Sequence, residues 1–251
     1  MKNAALDHVS YIEARFAPLL STQEGLSTER ILEAVLKGME QGKTEFGIDY
    51  GVIVCAMRHE SEGANRRMLK AAREFLGNGV CAADLAGNEA AFPMSLFMEL
   101  FGEVRRLEMP FTIHAGECGS VQNILDAVQC GASRIGHGIA LRGQKEAIAF
   151  CRDRQIGIEM CPLSNMQTKA VKDPAEYPIQ EFLNANLRVT VNTDNRTVSQ
   201  TTLEKEFAFI RERYAVTREQ EVQMTKNAIE VAFASDAVKE RLWKKMYTFE
   251  K

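Results

Sequence analysis

The feature that most limits what this chain can become is its alternation. Short β-branched runs recur, and each is followed by a longer charged segment whose apolar residues repeat with helical spacing. The spacing predicts strands over 8–16, 47–57, 80–85, 111–114, 134–137, 156–161 and 188–192. It predicts helices roughly over 27–42, 63–77, 93–108, 120–131, 143–154 and 178–186, then near 200–214, 217–233 and 235–248. Gly38 and Gly42 read as the end of the first helix. Thr217 with Gln220 reads as a capping box. Strands that alternate with amphipathic helices imply a parallel sheet. No Pro/Gly/Ser-rich linker interrupts the pattern, so one domain is expected over residues 1–251.

A parallel α/β chain can close into a barrel or remain an open, doubly wound sheet. The polar residues favour the barrel. Arg15, Arg58, His59, Asp84, His114, His137, Ser164, Asn165 and Asp194 all fall where strand-like runs end. In a (β/α)8 barrel the strand C-termini converge on one mouth, where such residues meet. Neither GxGxxG nor GxxxxGK[ST] follows any run, which removes the main support for a nucleotide-binding open sheet. Seven runs are present where a closed barrel of this kind needs eight.

Composition narrows the partners. The 251 residues carry a net charge of -3, so no basic surplus points to nucleic acid or a membrane surface. No apolar stretch approaches membrane-spanning length, and the first residues contain no signal-peptide core. Six cysteines without a CxxC pair read as reduced, mostly buried thiols of a cytoplasmic protein.

The chemistry gathers in FTIHAGECGS, residues 111–120. A lone histidine at a strand end is ordinarily structural. Here His114 has company: Glu117 three residues on, His137 ending RIGHG and Asp194 in NTDN. Imidazole nitrogen and carboxylate oxygen suit zinc, and a nearby carboxyl can move a proton. Cys161 and Ser164 lack a nucleophile elbow and read as structural. The Met and Phe residues of FPMSLFMELF have helical spacing and read as core.

Six motifs occur in one order: YIEARFAP (11–18), DLAGNE (84–89), HAGE (114–117), RIGHG (134–138), CPLSN (161–165) and NTDN (192–195). Together they resemble the adenosine deaminase family of the amidohydrolase superfamily, from about Asp7 onward. The resemblance implies a zinc-containing (β/α)8 TIM-type barrel that hydrolyses adenosine, a small purine nucleoside, to inosine and ammonia. It implies that His114 and Asp194 bind zinc and that Asp194 also orients the attacking hydroxide. It makes Glu117 the acid that protonates purine N1, and His137 the residue that orients hydroxide and stabilises charge. Gly87 resembles the glycine whose backbone approaches purine N3. Asn195 stands where the family often has a second aspartate facing N7, and an amide N–H can serve that contact.

The family's first strand carries His-x-His, two further zinc ligands. No two of this chain's four histidines are separated by one residue. The expectation is therefore a barrel lacking its first strand and the helical segment after it, with two histidine ligands absent and an open edge suited to self-association. Two alternatives stand beside adenosine deamination. One is an adenine deaminase, which shares HAGE. The other is a catalytically silent scaffold or one part of a split enzyme. The HxE…PCxxC class of zinc deaminases does not fit HxxE and CPLS.

Overall fold

The computed structural model describes residues 1–118 and 120–249. They form two compact units. The first comprises residues 1–87 and 99–111 and the described residues from Ala232 onward; the second comprises Asn88–Met98 and Thr112–Val231.

The first unit is built on β1 (Tyr11–Phe16), β2 (Asp49–Met57) and β3 (Val80–Ala86), parallel and in the order β1-β2-β3. Central β2 is apolar on both faces: Val52, Ile53, Val54 and Ala56 are fully buried. Both-face burial is why its sequence reads as a continuous run rather than an alternation. One ion pair crosses the sheet, from Arg15 Nη1 to buried Asp84 Oδ2 at 3.1 Å. A helix, Thr28–Phe46, links β1 to β2. Ser27 Oγ caps it by accepting the Arg30 N–H.

That helix runs past both glycines expected to end it. Its stop is Gly47, left-handed at φ 68°, whose N–H donates to the Lys43 carbonyl. Gly42 has another function: a Cβ there would overlap the Met1 side chain. A glycine chosen for packing looks in sequence like one chosen for termination. The segment before β1 also differs from expectation, since Lys2–Leu6 is helical and the strand starts at Tyr11.

The second unit is built on β4 (Thr112–Ala115), β5 (Arg134–His137), β6 (Gly157–Met160) and β7 (Arg188–Val191), all parallel and in that order. These strands are only four residues long and almost wholly buried. The helix expected over 93–108 is a 3-10 turn, Met94–Phe97, followed by an α-helix, Met98–Arg106. The capping box forms as read: Thr217 N–H donates to Gln220 Oε1 at 2.9 Å, and Gln220 N–H to Thr217 Oγ1 at 3.3 Å. Among the described residues no helix is long and apolar enough to cross a membrane.

Candidate active site

The second unit holds four of the six expected site residues in one neighbourhood, and each owes its place to a local backbone feature. His114 lies in β4, in register with Gly136 of β5. A Cβ on Gly136 would stand 3.3–3.5 Å from the Cα and ring of His114. Glycine in RIGHG thus clears space for the imidazole. His137 ends β5 with φ 66°, and Asp194 follows β7 with φ 50°. Left-handed backbone at such residues is sparsely populated and costs on the order of 1 kcal/mol. It turns both side chains away from the alternation their strands would impose.

His137 is the hub. It is 97% buried, and its ring centroid lies 5.2 Å from that of His114. Its Nε2 is 3.5 Å from Glu117 Oε2. Its Nδ1 is 2.9 Å from Asn165 Nδ2. The Tyr177 hydroxyl donates to Asn165 Oδ1 at 3.4 Å, which orients the amide with its NH2 toward the ring. Nδ1 is then an acceptor, so the neutral imidazole carries its proton on Nε2, the nitrogen facing Glu117. Burial, then the nearby Cys161 and Glu206, push the Tyr177 phenol well above its ordinary pKa, so it remains a donor.

Three ligand atoms, one each from His137, Cys161 and Asp194, lie within 4.8 Å of one another. Ser164 Oγ donates to Asp194 Oδ2 at 2.7 Å. Glu117 Oε1 accepts from Thr168 Oγ1 at 3.1 Å. Nitrogen, sulfur and oxygen donors around one point are the set that zinc takes. These donor types fit a zinc-type metal; of the two expected zinc ligands the group includes Asp194 but not His114, which enters the neighbourhood through its ring contact with His137.

Sequence reasoning passed over several of these groups. Cys161 and Ser164, read from the sequence as structural, both stand at the site; CPLSN and the strand-end place of Ser164 were their signals. Glu206, fully buried, accepts the Leu163 N–H through Oε2 at 3.0 Å. Burial first, and the Asp194 charge as well, raise its carboxyl pKa above the ordinary value; the Leu163 and Thr201 hydrogen bonds partly oppose this. Nothing in the local sequence around Glu206 distinguishes it from other helical glutamates.

The two remaining expected residues, Asn195 and Gly87, have local structural roles of their own. Asn195 caps the short helix Arg196–Ser199, its Oδ1 accepting the Val198 N–H at 3.1 Å. Gly87 follows β3 in the first unit at φ +107°, with a virtual Cβ 3.4 Å from the Arg58 backbone nitrogen. The conformation calls for glycine there, since a Cβ would meet its neighbours only at ordinary contact distance.

The family model for adenosine deaminase matches residues 1–249. The chain belongs to the adenosine deaminase family. An adenosine deaminase of Enterococcus faecalis is 45% identical over 246 residues, covering 98% of this chain and 73% of that relative. The crystal structure of adenine deaminase from Arthrobacter aurescens superposes with a TM-score of 0.89 at 25% identity, covering 98% of this chain and 75% of the other. A zinc-bound amidohydrolase from Burkholderia ambifaria reaches 0.92 at 20% identity, covering 98% and 70%, a likeness of fold. The fold class is the α/β barrel of the amidohydrolase type, to which the described residues contribute seven strands. Membership makes this an aminohydrolase-family chain with a metal-dependent chemistry.

Proposed function

We propose that this chain carries the machinery for hydrolytic deamination of adenosine to inosine and ammonia. The observation that carries the reading is the convergence on His137 of Glu117, His114, Asp194 and Cys161. The 45% identity to an adenosine deaminase supports adenosine as the substrate. On this reading His114 and Asp194 hold zinc. Zinc, when bound, makes a water ionise near pH 7 and so supplies the nucleophile for C6.

The chain's own residues do the rest. Glu117 delivers a proton to purine N1, which draws electrons from C6 as the new C–O bond forms there. The C6–N bond then breaks as the amino group takes the proton of the new C6 hydroxyl, which releases ammonia and leaves the C6 carbonyl of inosine. His137 directs its Nε2–H toward the reacting centre and balances developing negative charge. The Ser164 hydrogen bond fixes the Asp194 carboxylate. The cap uses Oδ1 of Asn195, so its amide NH2 is the end that can meet purine N7. Gly87 admits the purine to the backbone because it has no side chain.

On the family pattern two more imidazoles complete the metal site, and this chain contains no His-x-His to supply them. Residues 1–251 alone should then bind zinc weakly and turn over slowly. The test is zinc per chain by elemental analysis, with adenosine and adenine followed by ultraviolet absorbance. Each assay is run with and without a peptide bearing a His-x-His strand. The expected result is adenosine turnover and zinc uptake that rise with the peptide. Turnover of adenine alone would move the assignment to that base. Zinc uptake without turnover of either would favour a silent scaffold.

A further inference from the structure

The turn that carries Glu117 is anchored by a carboxylate with no part in the chemistry above. Glu89 closes the DLAGNE motif and is 97% buried. Its Oε2 accepts the Gly116 N–H at 2.8 Å and Asn123 Nδ2 at 3.1 Å. Its Oε1 accepts the Cys118 N–H. Gly116 and Cys118 are the two neighbours of Glu117 in the chain. Asn123 is itself fixed, since its Oδ1 accepts the Met94 N–H at 2.9 Å and Ser120 Oγ accepts its N–H at 3.2 Å.

We infer that Glu89 is a positioning residue that sets the place of the Glu117 carboxyl by clamping the peptide groups on either side of it. This rests on the proposed role of Glu117. The physical case is the number of acceptors. The strand ladder ends at Ala115, and Gly116 leaves it at φ +78°, a turn that a side chain would block by overlapping Ile124. The amides of the turn have left the sheet and need acceptors elsewhere. A carboxylate presents one oxygen to each, and both bonds are charge-assisted. A glutamine presents only one oxygen. Placed where two donors converge, that oxygen leaves an NH2 facing the Cys118 N–H.

Glu89→Gln is therefore a near-isosteric test. In the unaltered chain the Gly116 and Cys118 amides should exchange at least about tenfold more slowly than amides of exposed turns, a measurement that needs no variant. In Glu89→Gln the Cys118 amide should speed up about tenfold while amides of β5 and β6 stay within about twofold. For adenosine, kcat should fall about tenfold or more with KM within about twofold, because misplacing a proton donor removes transition-state stabilisation. Zinc per chain should not change. Glu89→Asp, which keeps both acceptors, should recover part of the protection and of kcat. Unchanged Cys118 exchange, or a loss expressed in KM alone or in zinc, overturns the inference. If the unaltered chain turns over neither purine even with the His-x-His peptide, the proposed function fails. The clamp is then decided by the exchange measurements alone.

Discussion

The two units use the same element, a parallel strand followed by a helix, for different ends. In the first, β2 runs nine residues and buries aliphatic side chains on both faces. One buried carboxylate gathers several partners there: Asp84 takes the Arg15 guanidinium, the Cys55 thiol at 3.5 Å and the Leu85 N–H at 2.7 Å. In the second, strands of four residues give way to backbone with positive φ at Gly116, His137, Gly138 and Asp194. Arg134 of β5 and Glu159 of β6 still pair inside that sheet at 2.7 Å, but His114, Glu117, His137 and Asp194 are gathered with one another. Short strands with strained exits place side chains, whereas long strands supply burial.

The comparison breaks most sharply at Glu117. Glu117→Gln should lower adenosine turnover by about 10²–10⁴-fold, the range for a lost proton donor, with zinc per chain unchanged. His114→Ala should lose zinc and turnover together. Elemental analysis beside the activity assay separates the two, and a Glu117→Gln chain empty of metal would merge roles that we hold distinct.

In the first unit the expected effect is on stability alone. Ile53 is fully buried in the middle of β2. Ile53→Ala should cost about 2–5 kcal/mol by lost burial and the cavity left behind. Denaturant unfolding measures this, and kcat per folded chain should stay unchanged. A fall in kcat would show that the scaffold and the chemistry are not separable.

The smallest effect tests burial inside the second unit. Because the Glu206 carboxyl is raised in the folded chain, the folded state holds this proton to higher pH than the unfolded state does. Its contribution is full below the unfolded value of about 4.3 and is lost as pH rises through the folded value. Glu206→Gln keeps an acceptor for the Leu163 N–H and does not titrate. The stability gap in favour of the variant should widen as pH rises above about 4.3 and level off once wild-type Glu206 is ionised. A gap independent of pH would mean that the carboxyl is not raised.

Much was legible before the structure. All seven strands were found from periodicity, and β5 was bounded to the residue. Errors fell on the segment before β1, on the start of the helix expected over 93–108, and on Gly38 and Gly42; Gly42 is explained by the Met1 side chain that packs against it, and nothing packs against Gly38. The shared neighbourhood of His114, Glu117, His137 and Asp194 was legible through motif order. Asn165 was placed at the expected mouth without a role, and Cys161 and Glu206 were given no place at the site, because their importance comes from partners distant in sequence.

The chain itself determined the element types and the inventory of reactive groups, since periodicity, capping residues and side-chain chemistry are local properties. The tertiary structure decided which groups share a site and in what state. Asn165, fixed by Tyr177, assigns the His137 proton to Nε2. Glu89, 27 and 29 residues before the amides it accepts, holds the turn of Glu117. Those outcomes depend on distances of a few ångströms between residues far apart in the chain, and sequence spacing carries no such distance.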